Sequence, residues 1–238
     1  MRFKLEFKLE NEYLDIDYRR SILSFIKKSF EMYDKQYYEK CYHEKDCLIK
    51  PYTFAIFFLN SIFQKDKILV KEKRFNVIFS TSDFEYAIIL YNSFNNQLNK
   101  KTSLNKNSMT LYSIVMLPEK EVEQEAINIK FLSPLVVKKR VNNKDTYMSF
   151  QREEFLDTLK INIKEQLKIS NIDTKKVDSF NIEPILAKKV IIKNYGINLE
   201  CSVGKFRIYG DKELLEYLYK NGVSSKRSMG FGCFQIIE

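Results

Sequence analysis

The sequence predicts an α+β protein of two tandem modules, each with the element order βαββαβ and an antiparallel sheet. Three observations predict it. Apolar residues recur at a period of two in some segments and at helical spacing in others. The resulting order of elements runs through once and then starts again. A polar stretch, Pro118 to Glu125, lies between the two runs. Both helices of such a unit pack on one face of its sheet, which is the ferredoxin-like arrangement. The expected boundaries are residues 1–120 and 121–238.

In the first half, Arg2 to Glu10 alternates strictly, with Phe3, Leu5, Phe7 and Leu9 on one face, as a half-buried strand does. Tyr18, Ile22, Phe25, Ile26 and Phe30 fall on one helix face, and a second helical piece, Lys35 to Tyr42, follows a break near Asp34. Tyr52 to Leu59 and Arg74 to Ser80 read as strands. The capping box Ser82-Asp83-Phe84-Glu85 opens a helix faced by Phe84, Ile88, Tyr91 and Leu98. Met109 to Leu117 closes the module as a strand.

In the second half, Ala126 to Leu132 is a strand and Val136 to Tyr147 a hairpin turning at Asn142-Asn143. Arg152 to Leu167 carries a helical face of Phe155, Leu159, Ile163 and Leu167. Pro184 to Lys193 and Leu199 to Tyr209 form two strands joined near Gly196. Asp211 caps a short helix through Lys220, and Cys233 to Ile237 is the last strand.

A net charge of +9 favours an anionic partner, because cationic side chains release the counterions condensed on a polyanion. The bias has a second source: 32 lysines against 8 arginines is the composition of an AT-rich coding sequence. The N-terminal segment has no continuous apolar core, and the longest apolar stretch, Tyr52 to Phe63, is too short to cross a bilayer. A cytoplasmic protein without membrane contact is expected. Cys41, Cys47, Cys201 and Cys233 form no CxxC pair, and with a single histidine in the chain no metal site is expected. Buried thiols in a reducing compartment are the simpler reading. No cofactor is expected.

All six glycines follow residue 195, and three lie within eleven residues, from Gly222 through Lys226, Arg227 and Gly230 to Gly232. Glycine permits positive φ and close backbone approach, and successive N–H groups in such a turn, with two cations beside them, can cradle a phosphate. A purely structural alternative makes Gly222 a helix cap and Gly230 with Gly232 a bulge.

This segment resembles the signature loop of the repeat-associated (RAMP) RNA-binding superfamily of CRISPR systems: glycine, hydrophobic, glycine, five residues with Lys or Arg, then glycine, hydrophobic, glycine. Gly222, Val223, Lys226, Arg227, Gly230, Phe231 and Gly232 match, while Ser224 stands where the second glycine is usual. Within the superfamily the chain is similar to the stand-alone endoribonucleases that cut CRISPR repeat transcripts into guide RNAs. The similarity takes in the opening strand, the segment Tyr37 to Phe58 and the Phe131-Leu132-Ser133-Pro134-Leu135-Val136 start of the second half.

The resemblance implies metal-independent cleavage, in which a 2′-hydroxyl attacks the adjacent phosphate and leaves a cyclic phosphate and a 5′-hydroxyl. One group takes the 2′ proton, one protonates the leaving oxygen, and a cation stabilises the transition state. His43 matches the family's catalytic histidine, and an unperturbed pKa of about 6.5 suits it to general base or acid. Lys50 matches a family lysine that neutralises transition-state charge. Read without the family, His43 is a solvated helix-end residue and Lys50 a surface cation. The role of a tyrosine, common among family members, stays open among Tyr33, Tyr37, Tyr38 and Tyr42.

Lys138, Lys139 and Arg140, on the expected hairpin, are candidates to grip an RNA backbone; a solvated charge run is the alternative. CRISPR repeat RNA is thus the expected partner, with a multi-subunit CRISPR effector complex and a second copy of the chain as further candidates. The competing reading is a non-catalytic RNA-binding subunit of a CRISPR ribonucleoprotein, which keeps the loop and cuts nothing.

Overall fold

The computed structural model describes residues 1–42 and 49–238. The chain divides into two compact units, Met1–Lys50 with Ile56–Pro118 and Pro51–Ala55 with Glu119–Glu238.

The first unit runs β1 (Arg2–Leu9), β2 (Tyr13–Asp15), α1 (Tyr18–Tyr33), α2 (Lys35–Tyr42), β3 (Tyr52–Phe58, whose first four residues are counted with the second unit), β4 (Ser61–Phe63), β5 (Lys67–Val70), β6 (Arg74–Thr81), α3 (Phe84–Asn95), β7 (Lys101–Leu104) and β8 (Asn107–Met116). Its main sheet has the order β3-β6-β1-β8-β7. Strand β1 is central and antiparallel to both neighbours, Leu5 lying opposite Val77 and Ile114. Its odd-numbered residues Phe3, Leu5, Phe7 and Leu9 are at most 2% exposed. From that face Phe7 meets Phe25 of α1, and Phe3 meets Phe94 of α3, so both helices cover the same side of the sheet. Each such phenyl contributes about 2–3 kcal/mol by burial.

Asp34 explains the break between α1 and α2. Its backbone is extended, and its carboxylate accepts the Tyr37 N–H at 2.8 Å, ending one helix while starting the next. Helix α3 departs from expectation twice. Its N-cap is Asp83, which accepts the Tyr86 N–H at 2.9 Å, one residue later than the expected Ser82. Its buried face is Tyr86, Ala87, Leu90 and Phe94, whereas Phe84 is 67% and Ile88 41% exposed. Apolar residues surround this helix, so its periodicity fits two stripes, and packing of Phe94 on Phe3, Phe25 and Phe79 selects one. Leu98 lies past the helix end. The small sheet β2-β5-β4 was not anticipated, because strands of three or four residues are too short for a period to register.

The second unit runs β9 (Ala126–Phe131), β10 (Val137–Val141), β11 (Lys144–Met148), α4 (Phe155–Leu167), β12 (Asn181–Asn194), β13 (Ile197–Tyr209), α5 (Lys212–Asn221) and β14 (Phe234–Ile237). Its sheet order, β12-β13-β9-β14, is again ferredoxin-like, with the β10–β11 hairpin inserted ahead of the first helix. Asn142 and Asn143 both have positive φ, 49° and 61°, as a two-residue turn matching the strand twist requires. Phe155, Leu159, Ile163 and Leu167 are buried as the spacing predicts. Asp211 accepts the N–H groups of Glu213 and Leu214 and caps α5.

The stretch 118–125 is not a free linker: Val122 is buried in the second unit's core. Glu200 of β13 accepts from the Ser149 N–H and hydroxyl, at 3.1 and 2.8 Å, and from Arg152. Burial works to raise the Glu200 pKa, but the Arg152 and Ser149 hydrogen bonds prevail and bring it down to about 2. Cys41, Cys201 and Cys233 are buried thiols, as expected; Cys47 is not among the described residues. Among the described residues no helix is long and apolar enough to cross a membrane.

Candidate functional site

The glycine loop, residues 222–232, follows α5. Gly222 ends the helix at φ 79°, its N–H donating to the Leu218 carbonyl. The Val223 N–H then donates to the Gly232 carbonyl at 2.9 Å, so the two ends of the loop are clasped. The Val136 carbonyl accepts from the Ser224 hydroxyl at 3.0 Å and from the Ser225 N–H and hydroxyl at 3.0 and 3.1 Å. The Thr53 hydroxyl, which belongs to this unit, donates to the Phe231 carbonyl at 3.0 Å. A Cβ on Gly232 would lie 2.0 Å from the Val223 oxygen, and one on Gly230 would lie 2.6 Å from the Phe54 ring. Glycine is required here by closeness of approach as much as by φ.

This bonding bears on the expected phosphate cradle. The N–H groups of Gly222, Val223, Ser225, Lys226, Met229, Gly230 and Gly232 are all donated within the protein, which gives the loop a structural role alongside the expected one. Gly222 acts as the helix cap of the structural alternative. Ser224 fills the usual second glycine position with a hydroxyl that ties the loop to Val136 and accepts the Lys226 N–H at 3.1 Å.

The cations separate into two kinds. Arg227 is only 5% exposed; its guanidinium donates to the Asn221 carbonyl at 3.1 Å, closing the last turn of α5, and burial pushes its pKa down. Sequence reading expects Arg227 to face a ligand; in the fold its guanidinium is turned inward on the Asn221 carbonyl. Lys226 is half-buried with its ammonium 5.5 Å from the Tyr147 ring centroid, and burial lowers its pKa, opposed by Asp145. Lys138 lies directly opposite Tyr147 in the hairpin and Arg140 opposite Asp145, so these four share one face.

Lys138 and Arg140 approach Asp145 at 3.5 and 3.9 Å, and Lys139, on the other face, pairs with Glu154 at 2.7 Å. Exposed pairs of this kind are worth about 0–1 kcal/mol and exchange readily for a phosphate. Lys138, Arg140 and Lys226 around Tyr147 thus make a basic surface with an aromatic centre. Two residues essential to its shape were missed in the sequence. Tyr147 was legible, since the hairpin register pairs it with Lys138. Asn162 was not: its side chain donates to the Lys138 carbonyl and accepts the Lys138 N–H, pinning the hairpin to α4.

In the first unit, Lys50 lies 4.9 Å from the Tyr42 ring centroid, and Lys27 lies 5.1 Å from the same ring. The Tyr42 and Tyr86 hydroxyls are 3.4 Å apart. Lys50 is therefore oriented by a ring at the end of α2, a contact worth about 0.5–2 kcal/mol. His43 lies outside the described residues.

Comparison with known proteins converges on one family. The model for the CRISPR associated protein Cas6, C-terminal domain, matches residues 117–236. The CRISPR-associated endoribonuclease Cas6 1 of Methanocaldococcus jannaschii is 29% identical over 117 residues, covering 46% of this chain and 45% of that protein. A putative CRISPR-associated endoribonuclease-like protein Cas6 of Pyrococcus furiosus is 33% identical over 135 residues, 52% and 53% of the two chains. The chain spans about half the length of these curated relatives.

Among solved structures, the product of a Cas6-related gene from Pyrococcus furiosus superposes with a TM-score of 0.84 at 21% identity, over 100% of this chain and 98% of that one. A RAMP protein binding different RNA substrates gives 0.85 at 21% identity over the whole of both chains. A Cas6 product complex gives 0.75 at 11% identity over 99% of each. At these identities the likeness establishes the tandem ferredoxin-like fold.

Proposed function

The chain belongs to the Cas6 family of CRISPR-associated proteins, and on that premise we propose that it is an endoribonuclease that cuts CRISPR repeat transcripts into guide RNAs. The observation that carries this reading is that the basic face of Lys138, Arg140 and Lys226 around Tyr147 lies wholly within the segment matched by the family model. Cations spaced around an aromatic ring suit RNA, offering phosphate contacts and a stacking partner together.

In this proposal residues 1–120 carry the chemistry and residues 121–238 hold the RNA. His43 acts as general base or acid, exchanging a proton with the 2′-hydroxyl or the leaving 5′-oxygen. Lys50, oriented on Tyr42, stabilises charge on the phosphorane-like transition state. The nucleophile is the substrate's own hydroxyl, so the products are a cyclic phosphate and a 5′-hydroxyl, and no metal ion is needed. The glycine loop supports the surface by holding Val136 and hence the hairpin. The protein works in the cytoplasm on CRISPR repeat RNA, alone, as a homodimer or with a multi-subunit effector complex.

The test is to incubate the purified chain with end-labelled repeat RNA in EDTA, beside His43→Ala and an RNA with a 2′-deoxy residue at the cut. Cleavage by the wild type alone, abolished by the deoxy substitution, is expected. Binding without cleavage by the wild type would replace the enzyme by a non-catalytic RNA-binding subunit. Wild-type rates in His43→Ala would remove His43 from the mechanism, and a magnesium requirement would overturn metal independence.

A further inference from the structure

A cavity of about 210 Å³ opens in the first unit between α1 and the start of β7, away from Lys50 in the sequence and lined by none of the residues discussed above except Phe25. Lys28 and Met32 come from α1, Lys100 and Lys101 from the segment entering β7, and Gln97 from the turn after α3. Lys101 is bonded to Glu10 at 2.8 Å, whereas Lys28 and Lys100 make no ion pair with a described residue. With Lys101 neutralised by Glu10, Lys28 and Lys100 leave two uncompensated positive charges lining one opening, which favours an anion there.

Gln97 supplies the independent observation. It is 8% exposed, lines the cavity, and its carboxamide makes no hydrogen bond to a described residue. Most of the residue is buried while its carboxamide reaches the opening and bonds no other described side chain, so its donors and acceptor are available to a ligand there. With one acceptor and two donors, a carboxamide suits the edge of a nucleobase. Phe25 and the 62%-exposed Met32 add apolar and thioether surface for the base's flat faces.

We infer that this cavity is a nucleotide subsite, taking one unpaired base against Met32 and Gln97 with its flanking phosphates on Lys28 and Lys100. The inference rests on the RNA-binding reading above for its source, an unpaired nucleotide of the bound transcript. A free nucleoside 5′-monophosphate offers the same chemistry.

The experiment uses the full chain and two probes, fluorescein-labelled repeat RNA and adenosine or uridine 5′-monophosphate, with thermal melts confirming that the variants fold. Lys28→Gln/Lys100→Gln is expected to bind repeat RNA roughly tenfold more weakly and to lower the slope of log K against log salt by about 1.4, two contacts at about 0.7 each for a single strand. Gln97→Met, which keeps the volume, is expected to weaken binding roughly threefold with the slope unchanged, the split that separates base contact from phosphate contact. Unchanged RNA affinity in both variants, with monophosphate binding lost from Lys28→Gln/Lys100→Gln, would assign the subsite to free nucleotide. If neither probe responds to either variant, the subsite does not exist. If the wild type binds no repeat RNA, the functional proposal falls while the monophosphate titration still decides the subsite.

Discussion

The two units share an element order and a sheet order, and each starts its last helix on an aspartate cap, Asp83 or Asp211. They differ in how they turn the chain. In the first unit the positive-φ positions are Asn60, Lys73, Asn99 and Asn105, all exposed, with no glycine. The second unit also turns on non-glycine residues, at Asn142, Asn143 and Tyr195, but adds six glycines, all at positive φ and several hemmed in by backbone as well. An exposed left-handed turn needs only a residue that tolerates the dihedral, which asparagine does. A turn pressed against Val223, Phe54 or Leu186 also needs the absence of a Cβ. Clustered glycine therefore marks where backbone segments must touch, and the loop's signature reads first as a packing device.

Substitution at these turns gives the largest expected difference. Gly232→Ala should cost about 4 kcal/mol, strain at positive φ plus a clash that backbone cannot relieve, whereas Asn99→Ala should cost about 1 kcal/mol. Equal losses in urea titrations would erase the contrast between the units.

The buried and exposed cations come next. Arg227→Ala should lose about 3 kcal/mol by removing a buried charge-assisted hydrogen bond to the Asn221 carbonyl and the packing of its side chain, and Arg140→Ala should stay within about 0.5 kcal/mol. For RNA binding the order should reverse: Arg140→Ala should lower the salt slope by about 0.7–0.9 and Arg227→Ala should leave it unchanged, as read by fluorescence anisotropy.

Acid should then single out the second unit through Glu200. Its pKa is depressed to about 2 in the folded protein from an unperturbed 4.5, so its contribution is complete above pH 4.5 and is lost as pH falls toward 2. At about 1.4 kcal/mol per pH unit this amounts to at most about 3 kcal/mol. Glu200→Gln should flatten that acid limb relative to wild type, and parallel limbs in denaturant melts between pH 2 and 5 would contradict the assignment. The smallest effect is at the caps, where Asp83→Ala should cost about 1 kcal/mol and Ser82→Ala much less, measured by thermal melting.

Long amphipathic elements were legible in the sequence because a period repeated several times outweighs local accidents. Strand β1, helices α1 and α4, the Asn142-Asn143 turn and the Asp211 cap are of this kind. Helix α3 was found but rotated, since a helix apolar all round carries no preferred face until neighbours choose one. The strands β2, β4 and β5 were invisible for want of length. In the site, the charge of Lys138, Arg140 and Lys226 was readable, but the separation of Arg227 from Lys226 was not. Adjacent basic residues look alike until the fold turns one toward Asn221 and the other toward Tyr147.

Strand β9 has a consequence for synthesis. Both of its neighbours lie far downstream: it pairs through Ile127, Ile129 and Phe131 with Ile208, Phe206 and Phe234, the last of these about a hundred residues later in the chain. At about 5–20 residues per second a ribosome needs roughly 5–20 s to make that length, throughout which an apolar strand with two open edges emerges ahead of its partners. The first unit's central strand waits similarly for β6 and β8. A fold that reads as two tidy repeats when finished is thus one whose middle strands are made first and seated last, and its yield in the cell depends on what shields them meanwhile.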